Sequence, residues 1–242
     1  MSGNPLTIYF TNDMHGCDGA LSRLEQEEKP PVCLALDAGD AVRGSNTVFR
    51  RREPILERMS RLGYAAQAMG NREFHYLRSV QRQRSRQRAF PLLAANLVDL
   101  RGTSSGLWEK QAVLEVGGWK VGVFGATVVQ YPVGAWWERL TGFRFLAPED
   151  CLPALCCELK KRCDLVIFLS HLGLDRDRGL APRLPGLDLI LGGHTHVALD
   201  HPVEAGSVRI VQAGSHSRYL GRLVVRRGSP LEVDYRLLEC QA

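Results

Sequence analysis

The sequence predicts an α/β domain in which β-strands alternate with helices and β-hairpins interrupt the alternation. Short apolar runs alternate with amphipathic stretches, and a Gly-Gly pair separates two apolar runs near residue 117. No repeat or linker divides the 242 residues. Hydrophobic residues make up 45% of the chain and charged residues 24%, which is typical of a globular protein and excludes a disordered one.

The first part of the chain is predicted to contain strands that alternate with helices. Ile55, Leu56, Met59 and Leu62 recur at helical spacing, and Gly63 ends that helix. By the same criteria, helices are expected at 19–28, 53–62 and 77–88, and strands at 6–10, 32–36, 64–69 and 92–95.

The second part begins with a hairpin. Its strands are predicted at 111–116 and 119–123, joined by Gly117-Gly118, and a loop with Trp136 and Trp137 follows. Alternation then resumes, with a helix at 148–162 and strands at 164–169 and 187–191. Three further strands are expected at 208–212, 220–225 and 232–238.

Charge, cysteine content and hydropathy exclude several classes of protein. The net charge of +5 is weak evidence for a nucleic-acid partner. The seven cysteines form no CxxC pair, which favours reduced thiols. No apolar stretch approaches the roughly 20 residues that a membrane-spanning helix needs, and the N-terminus does not resemble a signal peptide. We therefore expect a cytoplasmic protein with no membrane partner.

Polar side chains follow five of the predicted strands at the point where each strand ends. They are Asp13 and His15, Asp40, Asn71, His171, and His194 with His196. The carboxyl ends of strands are where ligand sites gather in open α/β sheets, so these side chains are expected to converge.

Carboxylate, imidazole and amide ligands of this kind suit Mn, Fe, Zn or Ni. Seven such ligands exceed what one open ion needs but would serve two ions about 3.5–4 Å apart, sharing one carboxylate. Asp40 is the expected bridge, because Gly39 lets the backbone turn tightly beside it. Paired ions predict hydrolysis of phosphate esters or related bonds.

These motifs resemble those of the calcineurin-like metallophosphoesterases. The catalytic domains of 5′-nucleotidases, UDP-sugar hydrolases and cyclic-nucleotide phosphodiesterases are the most similar branch. The resemblance is carried by residues 11–16 (TNDMHG), 37–40 (DAGD), 70–73 (GNRE), 170–171 (SH) and 192–196 (GGHTH), and continues at 212–222.

The resemblance implies an α/β four-layer sandwich of two mixed β-sheets flanked by helices. It implies one ion held by Asp13, His15, Asp40 and His196, and a second held by Asp40, Asn71, His171 and His194. A hydroxide that bridges the ions would attack phosphorus in line with the leaving group. Manganese is the favoured metal, and residues 1–242 would form one catalytic domain without the nucleotide-specificity domain of the nucleotidases.

The third motif departs from the family pattern. The usual Gly-Asn-His-Glu followed by Phe-Asp is here Gly-Asn-Arg72-Glu-Phe-His75. Arginine neutralises phosphoryl charge but is a poor proton donor. We hypothesise that Arg72 is an electrostatic clamp and His75 the acid, both facing one way if a helix begins there. The expected catalytic residues are Asp40, Arg72 and His75, with Asn71 and Arg72 contacting substrate.

The predicted function is hydrolysis of a small phosphate monoester or diester, with nucleotides as candidates. Two alternatives stay open. The arginine-rich segment 78–88 would allow a nuclease-like phosphodiesterase that acts on nucleic acid. The replacement of the motif histidine by Arg72 would allow a metal-bound scaffold without catalysis.

Overall fold

Two six-stranded β-sheets form the centre of the computed structural model, which describes residues 4–228 and 230–241. The first sheet contains, in spatial order, β14 (Glu232–Glu239), β13 (Tyr219–Arg226), β1 (Leu6–Thr11), β2 (Cys33–Asp37), β3 (Tyr64–Ala68) and β4 (Leu92–Leu93). Strands β1 to β4 are parallel, and β13 and β14 add an antiparallel hairpin at one edge.

The second sheet has a parallel centre with an antiparallel strand at each edge. It contains, in spatial order, β11 (Val203–Ala205), β12 (Val208–Val211), β10 (Leu189–Gly192), β9 (Leu165–His171), β7 (Trp119–Thr127) and β6 (Gln111–Val116). Strands β12, β10, β9 and β7 are parallel to one another. A separate two-stranded sheet pairs β5 (Leu97–Asp99) with β8 (Phe143–Phe145).

Alternation along each strand places one core between the sheets and another on each outer face. In β1, Leu6, Ile8 and Phe10 pack in the central core with residues of β9, whereas Tyr9 faces outward. The helices α1 (Gly19–Gln26) and α2 (Pro54–Arg61) cover the outer core of the first sheet, and α5 (Pro148–Lys160) and α6 (Leu174–Leu180) cover that of the second. The remaining helices are α3 (Arg78–Ser85) and α4 (Trp136–Thr141). The predicted four-layer sandwich is therefore confirmed.

Most predicted elements are present, with ends shifted by a few residues. The Gly117-Gly118 turn is found with φ of 54° and 81°, the left-handed pair that a two-residue hairpin needs. The expected loop around Trp136 and Trp137 is wrong, because it contains α4, which ends at Gly142 with φ of 74°. Trp136 is 62% exposed, so this helix contributes little to the core.

The cysteines, the helix lengths and one short turn complete the description of the fold. No disulfide joins any of the seven cysteines, all of which lie in the described part of the chain. Within residues 4–228 and 230–241, no helix combines the length and the apolar character that crossing a bilayer requires. A short 3₁₀ turn at Ala181–Arg183 links α6 to the strand β10.

Candidate metal centre

Strand ends from both sheets meet at one point and bring the predicted ligands together. The ring nitrogen Nε2 of His171, at the end of β9, lies 3.5 Å from Oδ1 of Asp40 and 3.9 Å from Oδ1 of Asp13. The same nitrogen is 3.2 Å from Oδ1 of Asn71. The loops after β1, β2 and β3 therefore converge on a strand of the opposite sheet, as the sequence pattern predicts.

Backbone hydrogen bonds hold the first two loops against each other. The amide of Asp13 donates to the carbonyl of Gly39 at 2.9 Å, and the amide of His15 donates to the carbonyl of Asp40 at 2.9 Å. Five of the predicted ligands have left-handed backbones, with φ between 49° and 76°: Asp13, His15, Asp40, His194 and His196. Residues other than glycine adopt this conformation at a cost of about 1–3 kcal/mol each, and such strain gathers at functional sites.

The two carboxylate oxygens of Asp13 have different surroundings. Oδ2 accepts hydrogen bonds from the side-chain amide of Asn12 at 2.9 Å and from the backbone amide of His194 at 2.8 Å. Oδ1 is buried and has no hydrogen-bond partner among the described residues. A buried carboxylate oxygen without a partner is costly, so a missing positive group is expected beside it.

Two imidazoles face this orphaned oxygen. Nε2 of His196 lies 3.4 Å from Asp13 Oδ1, Nε2 of His15 lies 4.0 Å from it, and the two nitrogens are 3.0 Å apart. The point equidistant from these three atoms is about 2.1 Å from each, which is the length of a metal–nitrogen bond. The three atoms are therefore spaced as the ligands of one divalent ion would be.

His171 provides a second position for positive charge. Its Nδ1 donates to the carbonyl of Ala38 at 2.8 Å, so Nε2 faces the oxygens of Asp13, Asp40 and Asn71. Burial by itself lowers the pKa of His171, but the carboxylates of Asp40 and Asp13 outweigh it and raise the pKa to about 10. These oxygens therefore stabilise positive charge at this position, which a metal ion would supply.

His15 and His194 favour the neutral form that binds metals. Burial, reinforced by the neighbouring Arg72, lowers the pKa of His15 to about 4. Burial, together with the charge of His171, also lowers the pKa of His194. The ring of His194 packs edge-on against His171, with centroids 5.2 Å apart, so this predicted ligand lies beside the oxygens that face His171.

Among the described residues, two clusters of His, Cys, Asp or Glu side chains could hold a metal ion: Asp13 with His15 and His196, and Asp13 with Asp40 and His171. Asp13 belongs to both clusters, and Asp40 joins the one that contains His171. The bridging role of Asp40 stays a prediction.

Glu73 organises the loops beneath the cluster, a role that the sequence did not indicate. Its buried carboxylate accepts hydrogen bonds from the backbone amides of Asp40 at 2.7 Å, Ala41 at 2.9 Å and Gly70 at 3.0 Å. Together with a contact to the amide of Val42, these bonds tie the loop after β2 to the loop after β3. The motif glutamate therefore fixes the positions of Asp40 and Asn71.

Arg72 lies at the cluster as predicted, but His75 does not. Nε of Arg72 is 3.7 Å from Oδ2 of Asp40, and its side chain is 34% exposed. His75 is buried, and its Nδ1 accepts a hydrogen bond from the backbone amide of Leu77 at 3.0 Å. Residues 71–73 form a turn and α3 begins only at Arg78, so the helix that would align Arg72 with His75 is missing. This placement does not support an acid role for His75.

The structure adds one histidine that the sequence analysis did not include. The His216 ring lies 4.9 Å from the His15 ring, and its backbone amide donates to the carbonyl of Asp13 at 2.8 Å. His216 follows β12, which is parallel to β10. The strand-end rule that identified His194 therefore applies to His216 as well.

A buried pair of Ser170 and Asp177 lies next to His171, a member of the second cluster. The hydroxyl of Ser170 donates to Oδ1 of Asp177 in α6, and burial raises the pKa of Asp177 to about 7. Between about pH 4 and pH 7 the folded protein keeps a proton that the unfolded chain releases, so this group's contribution to stability falls as pH rises through that range.

We expect the Asp177→Asn variant to lose this pH dependence. The wild-type free energy of unfolding minus that of the variant should fall between pH 4 and pH 7, with a slope on the order of 1 kcal/mol per pH unit. Urea denaturation of EDTA-treated protein at four pH values measures it. Asp175→Asn, an exposed site in the same helix, should give a flat difference. A flat difference for Asp177→Asn would contradict the protonated state.

Comparison with known proteins identifies the relatives of this chain. Residues 6–198 match the family model described as calcineurin-like phosphoesterase. The 5′-nucleotidase of Rattus norvegicus is 32% identical, and the alignment covers 91% of this chain and 46% of that protein. The 5′-nucleotidase of Vibrio cholerae is 29% identical, with 96% and 51% covered.

A solved structure agrees with these matches. The 5′-nucleotidase precursor of Thermus thermophilus superposes with a TM-score of 0.80 at 26% identity, covering 98% of this chain and 54% of that one. The chain thus spans about half the length of the curated relatives that it matches. The strand order, the motif residues and the family match agree, and the chain belongs to the calcineurin-like phosphoesterase family.

Proposed function

We propose that this chain hydrolyses small phosphate esters, nucleotides among them, with two divalent metal ions. The orphaned Oδ1 of Asp13, facing the imidazoles of His15 and His196, is the observation that carries the proposal. The first ion would be held by Asp13, His15, Asp40 and His196, and the second by Asp40, Asn71, His171 and His194. Manganese is our favoured ion, because the set mixes oxygen and imidazole ligands.

Bound divalent ions would lower the pKa of water and neutralise phosphoryl charge. The chain's own groups supply the rest of the site. Arg72, partly exposed beside Asp40, is placed to bind a phosphoryl oxygen and to neutralise charge that develops there. Asn71, held next to His171, would contact the same phosphoryl group. Glu73 holds the loops that carry Asp40 and Asn71 through its bonds to the backbone amides of Asp40 and Gly70.

The arginine-rich segment does not favour the nuclease alternative. Arg78 is paired with Asp99 at 2.5 Å, and Arg88 donates to the carbonyl of Leu107 at 2.9 Å. Arg84 is buried and donates to the carbonyls of Arg72 and Glu73. These arginines hold loops together, so fewer of them are free to contact a polynucleotide.

Metal analysis and a substrate panel on one purified sample test the proposal. We expect two equivalents of divalent metal per chain and hydrolysis of nucleoside monophosphates and p-nitrophenyl phosphate in Mn²⁺. EDTA should abolish hydrolysis, and added Mn²⁺ should restore it. Bound metal without hydrolysis of any ester would favour the scaffold, and cleavage of polynucleotides alone would favour a nuclease.

A further inference from the structure

A cavity lined by arginine side chains lies beside the metal centre. Its volume is about 540 Å³, and we call it the arginine cavity. Its wall comes from the loops after β1 and β2 and from the start and the outer face of α2. Its charged lining residues are Arg43, Arg50, Arg52, Arg58, Arg61, Asp18 and Glu53.

Two of these five arginines are already neutralised by acids. Arg58 pairs with Asp18 at 2.5 Å and with Glu25 at 2.7 Å, and Arg52 pairs with Glu57 at 2.6 Å. The carboxylate of Glu53 is occupied by the backbone amides of Arg43 and Gly44, at 3.1 Å and 2.9 Å.

The other three arginines are Arg43, Arg50 and Arg61. None of them has an ion-pair partner within 4.0 Å among residues 4–228 and 230–241, and all three are exposed. The cavity lining therefore has more positive than negative charge, which favours the binding of an anion.

The arginine cavity and the metal centre share a wall. Gly16, which lines the cavity, directly follows His15. The side chain of Arg43 lies across Gly16 so closely that a Cβ there would be 2.0 Å from Cγ of Arg43. The carbonyl of Arg43 accepts a hydrogen bond from Nη1 of Arg72 at 3.3 Å. Arg43 therefore joins the wall of the arginine cavity to Arg72 at the cluster.

We propose that the arginine cavity binds a second phosphate group of the substrate. A guanidinium group can bind two oxygens of one phosphate at once. Three guanidinium groups without an ion-pair partner, placed around a concave space, therefore suit a dianion better than a neutral sugar or base. The inference rests on the proposed function, because the first phosphate would lie at the metal centre. The second phosphate could belong to a small bisphosphate or to the next nucleotide of a chain.

Kinetics with matched substrates tests this inference. We expect Mn²⁺-loaded protein to hydrolyse adenosine 3′,5′-bisphosphate or glucose 1,6-bisphosphate with a kcat/KM roughly tenfold above that of AMP or glucose 6-phosphate. In the Arg50→Gln/Arg61→Gln variant this preference should disappear, while the monophosphate values stay unchanged. A 5′-phosphorylated dinucleotide that exceeds both bisphosphates would identify the nucleotide chain as the source.

The control is Arg226→Gln, which removes one positive charge at the opposite end of the first sheet, where Val225 pairs with Leu6. It should keep the preference. Calorimetry of EDTA-treated protein with adenosine 3′,5′-bisphosphate gives a readout without turnover. Binding should weaken about tenfold in the double variant and not in the control. Equal binding by all three proteins would overturn the arginine cavity, whereas loss of hydrolysis with binding intact would overturn only the proposed function.

Discussion

Replacement of Asp40 by Asn is expected to lower kcat for phosphate ester hydrolysis by roughly 10³-fold. Asp40 lies between His171 and Arg72, and its Oδ1 already accepts the backbone amide of Arg72 at 2.7 Å. Asparagine keeps an oxygen for that hydrogen bond but removes the negative charge. If Asp40 bridges two ions, the metal content should fall from two equivalents toward one. Activity assays and elemental analysis of the same preparation measure both effects.

The matched control is Asp175→Asn, which removes a carboxylate that is 99% exposed. It should keep both the metal content and kcat. Circular dichroism should give the same spectrum for wild type and both variants. An Asp40→Asn protein that holds two ions and hydrolyses esters at the wild-type rate would contradict the bridging role.

Substitutions of Arg72 are expected to separate charge neutralisation from proton donation. Arg72→Ala should lower kcat by roughly 10²–10³-fold for every ester, because it removes the guanidinium next to Asp40. Arg72→His introduces a group that donates protons near neutral pH, which arginine does not. Alkyl phosphates, whose leaving groups need a proton, should then gain about 10²-fold relative to p-nitrophenyl phosphate.

Rates for a series of esters with different leaving-group pKa values measure this effect. In wild-type protein the rate should depend steeply on leaving-group pKa, and in Arg72→His the dependence should be shallower. Arg86→His, at an exposed arginine after α3, is the control and should keep the wild-type slope. A shallow slope in the wild-type protein would mean that another group already donates the proton.

The sequence pattern identified side chains that converge in the structure, because strand ends are recognisable from composition. Each predicted ligand follows an apolar run, and parallel strands carry their carboxyl ends to one edge. The orientation of each side chain at that edge is set by hydrogen bonds within the loops. The buried carboxylate of Glu73 and the left-handed backbone at His194 depend on such contacts, so local pattern did not reveal them.

The differences between the sequence pattern and the structure have physical causes of the same kind. His75 follows the motif directly, but the hydrogen bond from Leu77 turns its ring into the interior. The strands β5 and β8 are three residues each, too short to show a period of two. Helix α6 contains Asp175, Arg176, Asp177 and Arg178 in succession, so it has no apolar stripe to recognise.

The left-handed backbone at the five predicted ligand positions also bears on the stability of the protein. Glycine would relieve the conformational cost at each of these turns, but it has no carboxylate or imidazole. Stability would therefore favour glycine at these positions, whereas metal binding requires a carboxylate or an imidazole there. The energy that tightly bound ions contribute to folding would offset this burden, so the loaded protein should tolerate mutation elsewhere better than the stripped one.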